Sequence, residues 1–159
     1  MIADICAKRD NVHFLNKTSL VLPAELPGIR ILGCTLWAKT PAEHEEFIEM
    51  ACSDYSVIFN NATEYSVNPD GSRVVSDGTP VTVKQMNAIH EEHVRWIEEE
   101  IKAVQDSGSG ERIVVLTHHA PTCANTIPID ERGEIRWINY TNLERLFAVC
   151  CSGVSFCVR

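Results

Sequence analysis

At 159 residues the chain has a one-domain length and can bury a real core. Hydrophobic residues make up 45% and charged residues 23%, an ordinary soluble composition, and no apolar run approaches the ~20 residues of a membrane-spanning helix. A net charge of -8 leaves no basic surplus to neutralise phosphates, which argues against a general nucleic-acid partner; it does not exclude a phosphoester substrate, because bound metal ions can supply positive charge locally. The seven cysteines are scattered, odd in number and free of any C-x-x-C pair, so they carry no zinc-ribbon or redox spacing and are expected to be free thiols of a reducing compartment. The first residues contain Asp4 and no long apolar core, so no secretory signal is expected and the location implied is cytoplasmic, with no membrane partner.

In chain order, Met1 to Arg9 has Ile2, Ile5 and Cys6 at helical spacing and a basic end at Lys8 and Arg9, the pattern of a helix tail. Val12 to Leu15 alternates as a short strand, Asn16-Lys17 offers a turn, and Ser19 to Leu22 is a second strand ended by Pro23. Ile29 to Trp37 is the longest strand-like run of the first half, and Gly33 inside it predicts a bulge or a close backbone approach. Two hairpins or sheet neighbours are expected here rather than a βαβ unit. Thr40-Pro-Ala-Glu43 supplies an N-cap, a proline at the first helical position and a glutamate three residues after the cap, which predicts a helix to about Cys52 with Phe47, Ile48 and Ala51 inward. Val57 to Phe59 is apolar and strand-like. Asn60 through Gly78 is rich in Asn, Asp, Ser and Gly and is expected to be a long functional or disordered loop.

Thr82-Val-Lys-Gln85 is a second capping box and opens the longest helix, to about Asp106. Met86, Ile97, Ile101 and Val104 follow the 3.6-residue period, with Ile89 or His90 and His93 or Val94 completing one buried stripe. His90 and His93 lie one turn apart, but without an acidic or thiol partner on that face they are expected as flank residues and not as ligands. A Gly/Ser break at Ser107 to Gly110 separates this helix from Ile113 to Leu116, a β-branched and aliphatic run that suits a strand buried on both faces. Thr117, His118 and His119 follow directly, then Pro121, which cannot continue a ladder. Two imidazoles at the carboxyl end of a buried strand stand where open α/β sheets place ligands, and imidazole is the commonest metal-ligating side chain. Cys123 beside these histidines is a weak thiol-nucleophile candidate, because no Gly-rich oxyanion turn accompanies it. Ile127 to Ile138 reads as irregular or extended, and Thr141-Asn-Leu-Glu144 caps a short helix through Phe147. The element order is mixed α/β, helices on a sheet.

Four stretches in this order carry a resemblance: Asn11-Val-His-Phe-Leu-Asn16, Gly28-Ile-Arg-Ile-Leu-Gly-Cys-Thr-Leu-Trp37, His93-Val-Arg-Trp-Ile-Glu98 and Ile113-Val-Val-Leu-Thr-His-His-Ala-Pro121. Together they resemble the calcineurin-like metallophosphoesterase superfamily, from about Asn11 to Phe147. The resemblance implies a β-sandwich flanked by helices, a dinuclear site of divalent metals such as Mn, Fe or Zn, and hydrolysis of a phosphoester small molecule or phosphoprotein by two-metal catalysis. By position it implies that His118 is a metal ligand and that His119 beside it is the catalytic candidate, either supporting the ligands from behind or facing the substrate. The Asp-x-His, Gly-Asp, Gly-Asn-His and Gly-His-x-His motifs that supply the family's other ligands do not occur in the sequence. The expectation is therefore a partial phosphoesterase domain over 1–147 with an atypical, Cys-rich tail over 148–159, able to form a further strand, and a truncated, inactive chain with exposed sheet edges. The alternative is a non-catalytic α/β interaction or regulatory module.

Overall fold

The computed structural model describes residues 2–61, 65–69, 73–75, 77–122, 141–149 and 154–158. A short helix α1 (Ile2–Cys6) leads to strands β1 (Thr18–Val21) and β2 (Ile29–Cys34). A 3-10 turn (Ala42–His44), α2 (Glu45–Ala51) and α3 (Asp54–Val57) follow. Next come four short strands, β3 (Phe59–Asn60), β4 (Tyr65–Val67), β5 (Arg73–Val75) and β6 (Thr79–Pro80). The long helix α4 (Val83–Ser107), strand β7 (Arg112–Thr117), helix α5 (Glu144–Val149) and strand β8 (Val154–Val158) complete the described elements. The architecture is mixed α/β, as the element order predicts.

The main sheet runs β1-β2-β7-β8, with β1 antiparallel to β2 and the other neighbours parallel. β1 and β2 are the expected sheet neighbours. The chain then makes two parallel crossovers, β2 to β7 through α4 and β7 to β8 through α5. The apolar ending expected as a possible strand takes the outer place beside β7, Ile113 opposite Val154 and Thr117 opposite Val158.

Helix α4 forms where its local signals put it. Gln85 N–H donates to Thr82 Oγ1 (3.2 Å) and Thr82 N–H donates to Gln85 Oε1 (2.9 Å), so the capping box is complete. Glu49 from α2 accepts the Val83 N–H at 2.7 Å, satisfying a further orphan donor of the first turn. At the other end Gly108 adopts φ +63°, a left-handed stop that costs glycine nothing. The apolar stripe of α4 (Val94, Ile97, Ile101, Val104) packs on Leu32, Cys34, Ile113 and Val115 of β2 and β7, with Leu143 and Leu146 closing the same core. Removing each such side chain from water contributes about 1.5–3 kcal/mol.

Only one face of β7 is sealed. Ile113, Val115 and Thr117 are buried under α4, while Val114 and Leu116 on the other face are half-buried. The β2–β7 register places Ile31 beside Val114 and Gly33 beside Leu116 on that second face. Gly33 makes no bulge there. A Cβ at Gly33 would lie 2.4 Å from Leu15 Cβ, so glycine is required for the approach of the 12–15 segment. That segment is correspondingly not the expected strand: instead of extending the sheet edge, it sets Leu15 against Gly33.

Three other expectations are revised. Thr40 does not cap α2; its backbone N–H and C=O are both bonded by Asn87 of α4, each at 2.9 Å. Pro41 stays extended and regular helix begins only at Glu45. The apolar run at Val57 is divided, Val57 ending α3 and Phe59 opening β3. Within Asn60 to Gly78 β4 pairs with β5, and β3 pairs with β6 where the stretch begins and ends, so it contains an antiparallel strand pair instead of one long loop. Among the described residues no helix is long and apolar enough to cross a membrane.

Candidate functional site at the strand ends

The carboxyl ends of β2 and β7 lie side by side, Cys34 opposite Thr117. Thr35, just beyond β2, accepts the backbone N–H groups of both His118 (3.2 Å) and His119 (3.1 Å) with its one carbonyl. The histidine pair is thereby stitched to the exit of β2. Beyond it, Ala120 O accepts from Thr141 N–H (2.9 Å) and Pro121 O from Leu143 N–H (2.8 Å), which fixes the approach to α5.

The two adjacent rings have different environments. His118 is exposed and lines a cleft of about 400 Å³ over the open sheet face, with Leu15, Gly33, Cys34, Leu116 and Thr117. His119 is only 7% exposed, and its ring lies 5.1 Å from that of Trp37 at an interplanar angle of 38°. The His118 ring meets His119 edge-on, with centroids 5.0 Å apart. The Leu-Gly-Cys-Thr-Leu-Trp stretch and the His-His strand end thus meet through the Trp37 and His119 rings. Thr117 is buried, and its hydroxyl has no hydrogen-bond partner among the described residues. Burial pushes the neighbouring Cys34 thiol up to about 11, so it stays a protonated core residue. Cys123 lies outside the described residues.

His90 and His93 correct the flank assignment. Both are 4% exposed and aimed into the interior, where they bond the backbone just past β2. Leu36 N–H donates to His93 Nδ1 at 3.2 Å, and His90 Nδ1 lies 2.5 Å from Trp37 O. The signal was present in the sequence: both histidines are in phase with Met86, Val94 and Ile97, on the stripe itself. What no local pattern indicates is Leu36, a fully buried leucine at φ +50°. A left-handed backbone at a residue with a Cβ costs of order 1 kcal/mol and persists only where neighbours hold it.

Burial lowers the pKa of both α4 histidines. For His90, desolvation dominates over the hydrogen bond to Trp37 O, which opposes it, with Lys39 adding to the depression. For His93, desolvation is joined by the charge of Lys17. His90 also lines a separate cleft of about 370 Å³ whose rim carries the Lys39–Glu91 and Arg145–Glu98 ion pairs, both 2.8 Å. The four histidines thus serve two different clefts and an interior brace, and do not converge on one point.

That division decides the fit of a dinuclear metal centre. Such a centre needs several converging donors, each oriented by further hydrogen bonds. Among the described residues no group of three or more His, Cys, Asp or Glu is placed to hold a metal ion. His118 contributes one exposed imidazole, so the described donor set does not fit the pair of metals. No protein-family model matches the chain, and neither a curated protein nor a solved structure matches it.

Proposed function

We propose that the chain carries the histidine-bearing strand unit of a metal-dependent phosphoester hydrolase of the calcineurin-like kind, and that this chain alone does not catalyse the reaction. In this reading β2, α4 and β7 are part of a sandwich-type phosphoesterase fold. His118 takes the metal-ligand position and His119 the place behind it, toward substrate. The observation that carries the reading is the meeting of the two most distinctive stretches: the strand ending in Thr-His-His-Ala-Pro lies parallel to the strand ending in Leu-Gly-Cys-Thr-Leu-Trp, with Trp37 on His119. The proposed inactivity is supported by the described residues, among which His118 is an exposed imidazole and no group of three donors is placed to hold a metal.

The test is hydrolysis of an aryl phosphodiester by the purified, folded chain with and without manganese, alongside His118→Ala. No turnover in any arm is expected. Manganese-dependent turnover lost in His118→Ala would keep the lineage and overturn the inactivity. Turnover independent of manganese or of His118 would overturn the lineage.

A second reading, a non-catalytic α/β module, is favoured by the commitment of His90, His93 and His119 to the interior. Manganese discriminates the two. A strand unit of metalloenzyme descent retains selective broadening of the His118 ring signals by Mn²⁺, whereas a module shows no more at His118 than at His13 and His44.

A further inference from the structure

The exit of β2 is held by two imidazoles from one helix, and their partners fix opposite tautomers. A backbone carbonyl only accepts, so His90 carries its proton on Nδ1, facing Trp37 O. A backbone N–H only donates, so His93 Nδ1 is bare and its proton sits on Nε2. The Leu36 bond requires a neutral His93 ring, and burial favours the neutral form of His90 as well; the two rings lie one turn apart on α4, gripping consecutive residues of the same turn.

A second proton has different consequences at the two rings. At His90 it must enter Nε2, which faces the Thr141 hydroxyl at 3.5 Å. That hydroxyl can rotate to accept, and the bond to Trp37 O survives. At His93 the open position is Nδ1, the atom that accepts from Leu36. Protonation there sets N–H against N–H and deletes the bond that holds a buried leucine in the left-handed region.

We infer that His93 is an acid-sensitive latch: protonating its Nδ1 releases the Leu36 turn and, through the next residue, shifts Trp37 against His119. The latch does not depend on the hydrolase reading. The charged groups around it and around its neighbour His90 come from four segments of the chain. Lys17 from the segment before β1 and His90 on α4 resist a charge on His93, while Glu92, itself paired with Lys17, favours it. Around His90, Lys39 and Arg145 resist charge and Glu91 favours it. Desolvation keeps the resting ring neutral, so the release needs pH below the ordinary histidine value of 6.5.

The test is long-range ¹H–¹⁵N correlation of the imidazole rings in the full chain, followed from pH 8 to pH 5 with the Leu36 amide and the Trp37 indole. Near neutrality, His90 is expected as the Nδ1–H tautomer and His93 as the Nε2–H tautomer. On acidification the Leu36 amide and Trp37 indole signals are expected to move with the His93 midpoint. His93→Asn places an amide oxygen where Nδ1 stood and cannot titrate, so it should retain the neutral-pH Leu36 and Trp37 shifts and lose their acid transition. An Nδ1–H tautomer at His93 in the unmodified chain overturns the latch, whether or not the variant folds. So does a Trp37 transition that persists unchanged in His93→Asn, or a His93 titration that leaves Leu36 unmoved.

Discussion

Two pairs of histidines stand at the same end of the sheet and do different work. The α4 pair, His90 and His93, is buried and bonded to the backbone of Trp37 and Leu36. The strand-end pair is split: His119 is buried against Trp37, and His118 is left in an open cleft. Adjacency in sequence therefore says little about which imidazole is free for chemistry. The partner decides: an imidazole committed to a backbone group inside the core is part of the fold, and only the remaining ring is available to a ligand.

The sharpest way to break this contrast is to remove the committed partner. His93→Leu leaves the buried Leu36 N–H unsatisfied and should cost about 2 kcal/mol of unfolding free energy, measured by urea denaturation. A cost near zero would mean that the Leu36 bond is not what holds the turn. The same contrast predicts a pH dependence. Because burial depresses the folded pKa of both α4 histidines, folded and unfolded chains are equally neutral there well above pH 6.5. Below it the unfolded chain binds protons that the folded chain refuses, so stability falls as pH falls through the lowered folded values. Urea midpoints taken between pH 8 and pH 5 should drop on the acid side, and less steeply in His93→Asn. A midpoint that rises on acidification contradicts the brace.

Smaller effects sharpen the comparison further. Thr117→Val removes a buried hydroxyl without a partner among the described residues and keeps the side-chain shape, so it should raise stability by about 1 kcal/mol. A loss instead would show that the hydroxyl is bonded in solution. His118→Ala removes the exposed ring and should change stability by no more than about 0.5 kcal/mol. A larger loss would place His118 with the structural histidines.

How much of this was legible in the sequence follows the range of the interactions. Helix α4 was readable at both ends because its capping box, its apolar period and its Gly108 stop are all local. Strand β7 was readable for a similar reason, its continuous apolar run, and Gly33 marked a close approach without naming its partner Leu15. The failures share a non-local cause. Val12 to Leu15 alternates like a strand, but Leu15 is drawn to Gly33 instead. Thr40 looks like an N-cap, but its backbone is bonded by Asn87 of α4, far along the chain. The strand pair within Asn60 to Gly78 was hidden by a polar, turn-rich composition in which short strands leave little periodicity. At the site, the His-His strand end could be anticipated, whereas Trp37 beside it could not, and His90 and His93, expected as flank residues, are buried on the stripe. Their backbone partners could not be anticipated, because the left-handed turn at Leu36 has no signature in a leucine.

The central claim is that three of these four histidines belong to the fold and one imidazole remains. It is tested most directly by dialysing the folded chain against manganese at neutral pH and measuring the metal it retains. No stoichiometric manganese is expected, in the unmodified chain and in His118→Ala alike. Stoichiometric retention that His118→Ala abolishes would contradict that claim, because a metal centre would then exist at a ring beside which the described residues place no group of three donors.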